Sequence, residues 1–276
     1  MARRPSRSKP RQKRKPKAAA PAAVRARPRR AGKAAAVAHP AKPGRQRKPA
    51  PAVLAPAAVE RAVDRIIAAE ADIAEGVAEL RRLCPTMCKV HDLAGHPPLR
   101  RREAGFEGLA RIIVGQQLSV ASAAAIWTRT FAAVQPFTAE RLLALAEADL
   151  ARAGLSRPKI RTLRAVSQAC VGGLDLVALT AASDTEVHAR LTEVSGIGPW
   201  TADIYLMFCL GRADAWAPGD LALQIAAQHA FGLKARPTRE ELAGLAERWR
   251  PWRGVAARLL WSYYAVTKQM RQAIPV

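Results

Sequence analysis

The most constraining stretch of the chain is Ser195-Gly-Ile-Gly-Pro199, set between two segments of helical periodicity. Upstream, Ser183 and Glu186 have capping-box spacing, so a helix starts near Thr185. Val187, Leu191 and Val194 recur on one face of it. Gly196 and Gly198 interrupt that pattern. Two glycines around one apolar residue admit a left-handed backbone and the close approach of an outside group. Pro199 suits the first turn of a second helix, where its missing N–H costs nothing. Ala202, Tyr205, Leu206 and Cys209 give that helix a buried side. The stretch therefore predicts helix, tight turn, helix, and the free amides opening the second helix are a natural phosphate site. An ordinary helical corner closed by glycine shares the local pattern, and Gly-x-Gly alone does not separate the two.

No segment alternates with period two for long, so the chain reads as all-α. Helical periodicity runs from Ala57 to Arg82 and is ended by Pro85. Residues 83–104 read as irregular, with Gly95, Pro97 and Pro98 ahead of a basic cluster at Arg100, Arg101 and Arg102. Helices follow over Phe106–Val114 and Leu118–Phe131, separated by Gly115. Thr138 caps a short helix towards Ala146, and Asp149–Ala153 adds a turn. After a break at Gly154–Lys159 come helices over Ile160–Cys170, the hairpin, and Asp220–Phe231. Thr238 and Glu241 form a second capping box, and Pro251 starts the last helix, to Lys268.

Charge divides the chain. It carries 45 basic and 22 acidic residues, a net charge of +23. Residues 1–50 hold 18 of the basic residues and no Asp or Glu, leaving 27 basic against 22 acidic for the rest. Residues 1–55 are Lys, Arg, Pro and Ala with almost nothing to bury, so they are expected to be disordered. Residues 56–276 are then the globular domain. Such a tail suits a non-specific DNA tether, since each phosphate it neutralises releases counterions. A solubility device and an organellar or nuclear targeting segment fit the same composition. Cys84, Cys88, Cys170 and Cys209 lack zinc spacing, so no metal site is expected. No apolar run approaches the ~20 residues of a membrane span, and no secretory signal is evident. The expected setting is a bacterial cytoplasm, close to the nucleoid.

The longer string Ser195-Gly-Ile-Gly-Pro-Trp-Thr-Ala202, with Asp220 following Trp200 by 20 positions, resembles the helix-hairpin-helix DNA glycosylases. Within them it is most similar to the alkylpurine branch, of 3-methyladenine DNA glycosylase II type. The resemblance covers residues 57–276. It implies two helical subdomains flanking a cleft, a monomer with no cofactor, and duplex DNA containing alkylated bases as the partner. The cysteine cluster that holds iron and sulfur in the endonuclease III branch is missing, since no cysteine follows Cys209. The larger alkylpurine enzymes carry a β-rich N-terminal domain where this sequence has its basic tail.

Residue by residue, the resemblance makes Asp220 the catalytic aspartate. On its own, Asp220 after Pro218-Gly219 is the natural N-cap of a helix. Breaking a base–sugar bond leaves an oxocarbenium-like sugar. A carboxylate ~4 Å from that cation, at an effective dielectric of ~20, contributes about 4 kcal/mol, or about a thousandfold in rate. It can also orient the attacking water. Strand-cleaving members carry a lysine nucleophile where this chain has Trp200, so a monofunctional hydrolase without lyase activity is implied. The indole face of Trp200 suits a cationic methylated base. Trp261, after Pro251-Trp-Arg, takes the role of a second pocket aromatic, and Trp216 is a candidate for the pocket mouth, with the core as its rival reading. Trp249 and Trp252 are assigned to the core. Two aromatic positions of the enterobacterial-type pocket are Ile204 and Leu221 here, which points to a more aliphatic wall and leaves the base range open.

Gly115-Gln-Gln-Leu-Ser119 matches the element that fills the gap left by a flipped nucleotide. Gln116, Gln117 and Leu118 are the candidates, with Gln117 preferred; a polar helix cap is the rival reading. In the hairpin, Gly196, Ile197, Gly198 and Thr201 are expected at the DNA backbone. Lys159 is either a further phosphate contact or a solvated surface charge. Asp203, early in the second hairpin helix, is accounted for by the helix dipole. Two rival functions remain at this stage: a glycosylase for another lesion class, and a non-catalytic DNA-binding module.

Overall fold

The computed structural model describes the backbone of residues 65–273 and the side chains of residues 65–270. The basic tail at 1–55 and the start of the expected first helix, 57–64, lie outside the described residues. Twelve α-helices run through the described part: α1 Glu70–Leu83, α2 Pro85–Ala94, α3 Phe106–Gly115, α4 Val120–Ala133, α5 Ala139–Ala144, α6 Glu147–Arg152, α7 Arg157–Val171, α8 Asp184–Thr192, α9 Pro199–Tyr205, α10 Leu221–Ala230, α11 Arg239–Ala246 and α12 Arg253–Ala273. Short 3-10 turns lie at Ala178–Ala181 and Glu247–Trp249. Among the described residues the one β-type pairing is an isolated antiparallel bridge between Ile66 and Arg212. The all-α expectation holds.

The first expected helix is corrected at its start. Residues 65–69 are not helical. Ile67 N donates to the Gly211 carbonyl at 2.7 Å and Ala213 N to the Arg65 carbonyl at 3.0 Å. Asp72 Oδ2 takes the amides of Ala68 and Ala69, both at 2.8 Å, which sets the helix start at Glu70. The segment 83–104 is corrected too: Pro85 ends α1 and also opens α2, since proline favours a first helical turn as much as it forbids an interior one. Met87 and Val90 bury its face, and Gly95 closes it with φ +71°. Proline explains a third shift: Pro158 in the first turn starts α7 at Arg157 rather than Ile160.

Two groups of helices share one core. In the first, α12 packs on α10, α2 and α1, with α11 against α10. Val255, Ala256, Leu259 and Leu260 form its fully buried stripe; each buried leucine contributes about 2 kcal/mol. Trp252 fills the space over Gly76 of α1, where a Cβ would lie 2.7 Å from the indole. In the second group α7 packs on α5, α6 and α3, and α3 on α4. The hairpin helices α8 and α9 lie against one another, and α9 also reaches α3. Among the described residues the first helices and the C-terminal helices form one group and the middle helices the other, as the resemblance implied.

Immediately after α9, Leu206–Leu210 form one π-helical turn, closed by Gly211 at φ +75°. A widened turn frees carbonyls, and outside donors take them: Arg102 N donates to the Phe208 carbonyl at 2.9 Å and an Arg258 guanidinium nitrogen to the Met207 carbonyl at 2.8 Å. Such turns often mark functional sites. This one aims Phe208 at Trp261.

Candidate active site

Asp220 is the N-cap of α10, and its Oδ1 accepts the Leu223 amide at 2.9 Å. The same oxygen accepts Nε1–H of Trp261, from α12, at 3.0 Å. Oδ2 accepts Nε1–H of Trp200, from α9, at 2.8 Å. The carboxylate thus stands where the two helix groups meet, held by one backbone amide and two indoles. Trp200 and Trp261 were expected as aromatic faces; the structure makes them hydrogen-bond donors to the candidate catalytic group. Three donors on two oxygens fix its plane and leave lone pairs on the Oδ2 side for water or a sugar.

The segment leading to Asp220 is pinned from α12. Arg253 grips both oxygens of Asp214, at 2.8 Å each, and Arg250 also pairs with Asp214. Gly254 N donates to the Ala213 carbonyl at 2.7 Å. Behind Trp261 lies an array that sequence reading missed. Phe208 stacks on Trp261 at 5.7 Å between ring centroids, and the Arg258 guanidinium sits 4.8 Å from the Phe208 centroid. Arg258 is buried and bonds to the carbonyls of Gly254, Met207 and Leu99. Burial, then Arg101 and Arg100, push its pKa down to about 10. A signal was available: an arginine inside the apolar run Val255–Leu260, at a buried helical position.

Trp216 is corrected. It is buried, packs edge-on against Trp249 at 5.6 Å, and lines a cavity with Asp184, His188, Asp203, Arg239 and Arg253. Among the described residues no hydrogen bond or ring contact joins it to Asp220, Trp200 or Trp261. Trp249 and Trp252 are core, as expected. Of the two aliphatic positions, Leu221 is exposed beside Asp220, whereas Ile204 is buried and is no part of an open wall.

The hairpin has the expected form. Ser183 Oγ accepts the Glu186 amide at 3.2 Å to open α8. Gly196 stands at φ +89°, and a Cβ there would meet Thr162 Oγ1 at 2.1 Å. A Cβ on Gly198 would meet nothing within 4 Å. Among the described residues the amides of Gly198 and Trp200 donate to no protein group. Ile197 is buried, so its side chain anchors the turn and any outside contact is through backbone. Thr201 is also buried; its Oγ1 accepts Gln116 Nε2 at 2.8 Å, so its hydroxyl serves the fold rather than a DNA contact.

That bond also sorts the wedge candidates. Gln116 is tied to α9. Leu118 is half-exposed and lines a cavity. Gln117 is exposed with φ +56°, an uncommon conformation for a non-glycine residue. Gln117 and Leu118 are both exposed in this loop. Ser119 caps α4 by accepting the Ser122 amide at 3.2 Å. Lys159 is corrected: its Nζ donates to the Val114 carbonyl at 2.7 Å, steadying the last turn of α3, and burial lowers its pKa. Among the described residues no metal-holding cluster occurs and no helix is long and apolar enough to cross a membrane. The four cysteines are free thiols.

With this geometry in place, the comparisons identify the class. The family model described as HhH-GPD superfamily base excision DNA repair protein matches residues 110–251. The chain belongs to that superfamily. Among individual relatives, DNA-3-methyladenine glycosylase 1 of Schizosaccharomyces pombe is 31% identical over 162 residues, covering 56% of this chain and 71% of the relative. The alkylbase DNA glycosidase-like protein mag2 of the same yeast is 27% identical over 175 residues, covering 61% of this chain and 80% of the relative. The chain spans only 31% of another relative, a Bacillus subtilis protein named as a putative DNA-3-methyladenine glycosylase. In structure it is similar to the S. pombe 3-methyladenine DNA glycosylase Mag1 in complex with abasic DNA, with a TM-score of 0.64 and 28% identity, covering 68% of this chain and 95% of that one.

Proposed function

We propose that the protein is a DNA glycosylase that hydrolyses the N-glycosidic bond of alkylated purines in duplex DNA, without cleaving the strand. The observation that carries this reading is the Asp220 carboxylate, clamped by Trp200, Trp261 and the Leu223 amide at the junction of the two helix groups. The hairpin grips the DNA backbone through its open amides, and Gln117 enters the stack in place of the flipped nucleotide. The freed base lies against the Trp200 and Trp261 indoles. Leaving as a neutral base from a cationic nucleotide, an N3- or N7-alkylpurine needs no strong general acid. Asp220 stabilises the sugar cation and orients water onto its anomeric carbon. With an indole at position 200, no amine stands there to form a Schiff base.

Names of similar proteins support the alkylpurine substrate. S. pombe DNA-3-methyladenine glycosylase 1 and a Bacillus halodurans DNA-3-methyladenine glycosidase, whose crystal structure matches this chain with a TM-score of 0.59 and 32% identity, both act on that base by name. The test is chromatography of bases released from methylated DNA, with Asp220→Asn beside the wild type. Release of 3-methyladenine or 7-methylguanine by the wild type alone is expected. Release of another damaged base in their place would move the protein to the second lesion class. No release of any base would leave a DNA-binding module. Borohydride should trap no covalent enzyme–DNA adduct; a trapped band would refute the hydrolase-only reading.

A further inference from the structure

A cavity of about 230 Å³ lies directly beneath the Gln117 loop. Gly115 and Leu118, on either side of the two glutamines, both line it. Its wall is otherwise Val120, Ala123 and Trp127 of α4, and two guanidiniums face it, Arg102 and Arg111. Arg111 lies 5.7 Å from the Trp127 centroid, and Arg102 5.9 Å from that of Phe208. Among the described residues neither guanidinium is paired with a carboxylate or hydrogen-bonded to any group. Arg102 is half-buried, and burial lowers its pKa, opposed by Cys209 and reinforced by Arg111 and Arg100. Two cations thus line one cavity without an anion, Arg102 half-buried and Arg111 exposed. Ring faces compensate a desolvated guanidinium only weakly. A negative charge offsets the half-buried Arg102 best, and arginine's fork matches a phosphate.

We propose that this cavity seats one phosphodiester of the DNA, with Arg102 and Arg111 sharing its charge and the deoxyribose lying on Leu118, Val120 and Ala123. The inference rests on the reading of the protein as a DNA glycosylase, and adds an anchor that the hairpin does not supply. Its place follows from the loop. Gln116 is bonded to Thr201 of α9 and the Val114 carbonyl to Lys159, so the wedge is fixed between the hairpin and this cavity. A backbone held on both sides of the wedge cannot slide away when Gln117 enters the stack. The bound phosphodiester therefore lies within one or two nucleotides of the flipped one. A nucleobase in the same cavity is the competing occupant; it carries only partial charges, and leaves the half-buried Arg102 without an anion.

The test uses the full chain and duplexes containing a stable abasic analogue, each with one linkage made neutral as a methylphosphonate. For the wild type, neutralising one linkage next to the abasic position should weaken binding about tenfold, the size of a charge-assisted contact. The R102M/R111A variant should bind unmodified DNA about tenfold less tightly and be indifferent to that linkage. Its slope of log affinity against log salt should fall by about 0.9, the value for one phosphate. Arg111→Ala alone, at an exposed position, gives the same linkage indifference should R102M fail to fold; melting curves report that. The inference is overturned if the variants keep the wild-type sensitivity at every linkage. It is also overturned if their loss follows the base opposite the abasic position, which would make the cavity a base pocket. Base release from methylated DNA by the same wild-type preparation separates the two claims. Release without linkage sensitivity defeats this inference alone, whereas neither release nor abasic-site binding defeats the glycosylase reading and the inference with it.

Discussion

Nε1–H of Trp200 donates to Oδ2 of Asp220 across 2.8 Å, between the hairpin's second helix and the N-cap of α10. Trp200, in the first turn of the hairpin's second helix, therefore also orients the candidate catalytic carboxylate. Trp261 makes the matching bond to Oδ1, and its own indole is backed by Phe208 and Arg258.

Replacing either indole by a phenyl ring separates its two roles, because phenylalanine keeps an aromatic face and loses the N–H. A hydrogen bond to a charged group contributes about 1.5–3 kcal/mol, so Trp200→Phe and Trp261→Phe should each slow single-turnover base release by roughly tenfold to a hundredfold. Binding of an abasic duplex should change little. If release is unchanged while substrate binding weakens, the indoles act only as stacking surfaces.

Asp220→Asn removes the charge but keeps an oxygen able to cap α10, so the melting temperature should fall only slightly. The amide NH₂ must then face an indole N–H or the Leu223 amide, donor against donor, so the side chain loses at least one of its present bonds. The rate should drop by about 10²–10⁴, the span for a positioned charge-stabilising or acid–base group. Single-turnover kinetics on methylated DNA checks this; an undiminished rate would remove Asp220 from the chemistry.

Asp203 gives a prediction about pH. It lines the cavity with Trp216, and burial raises its carboxyl pKa to about 7, with Arg239 and Arg253 pulling the other way. His188 Nε2 lies 3.6 Å from Asp203 Oδ1, yet burial and then Arg239 lower the His188 pKa as well. Burial favours the neutral form of both, which weakens this contact as an ion pair. In the unfolded chain Asp203 reverts to its ordinary value near 3.8. Between pH 4 and 7 the unfolded state sheds a proton that the folded state keeps, so stability falls as pH rises through that window and stays lower above it. The full shift corresponds to at most about 4 kcal/mol. Asp203→Asn should melt several degrees above the wild type at pH 8, and the two should converge at pH 4. Parallel melting curves at both pH values would show that the carboxyl is not held neutral by the fold.

The hairpin and its aspartate were legible in the sequence because their chemistry is local. Ser183, Gly196, Pro199 and the N-cap Asp220 act within a few residues of themselves. What the sequence did not reveal is what non-local packing decides. Trp261 lies 41 positions from Asp220, and no periodicity reports that its N–H, rather than its ring face, meets the carboxylate. Trp216 has the same composition cue as Trp200, but the bond that Trp200 makes to Asp220 has no counterpart there; Trp216 packs on Trp249 instead. Lys159 reads as a phosphate contact or a surface charge until Val114 is brought under it by the α3–α7 contact. Helix starts moved where a proline or an aspartate side chain had two possible roles, as at Pro85 and Asp72.

The two hairpin glycines make the last prediction, since they fail for different reasons. Gly196 has φ +89° and its Cβ position is already filled by Thr162 of α7. Gly196→Ala must strain the backbone and push α7 away, so it should destabilise the protein by about 1–3 kcal/mol, the range for a residue forced into a sparsely populated conformation. Gly198 has φ −95° and open space where a Cβ would go. Gly198→Val is thus compatible with the fold, and the melting temperature should hold. Its branched side chain would stand over the free Gly198 and Trp200 amides, in the volume a phosphate must enter. Affinity for an abasic duplex should drop by about tenfold, the loss of one charge-assisted backbone contact. The salt slope should fall by about 0.9 with it. A Gly198→Val protein that binds like the wild type would place the DNA backbone elsewhere, and leave the hairpin as a support for Trp200 alone.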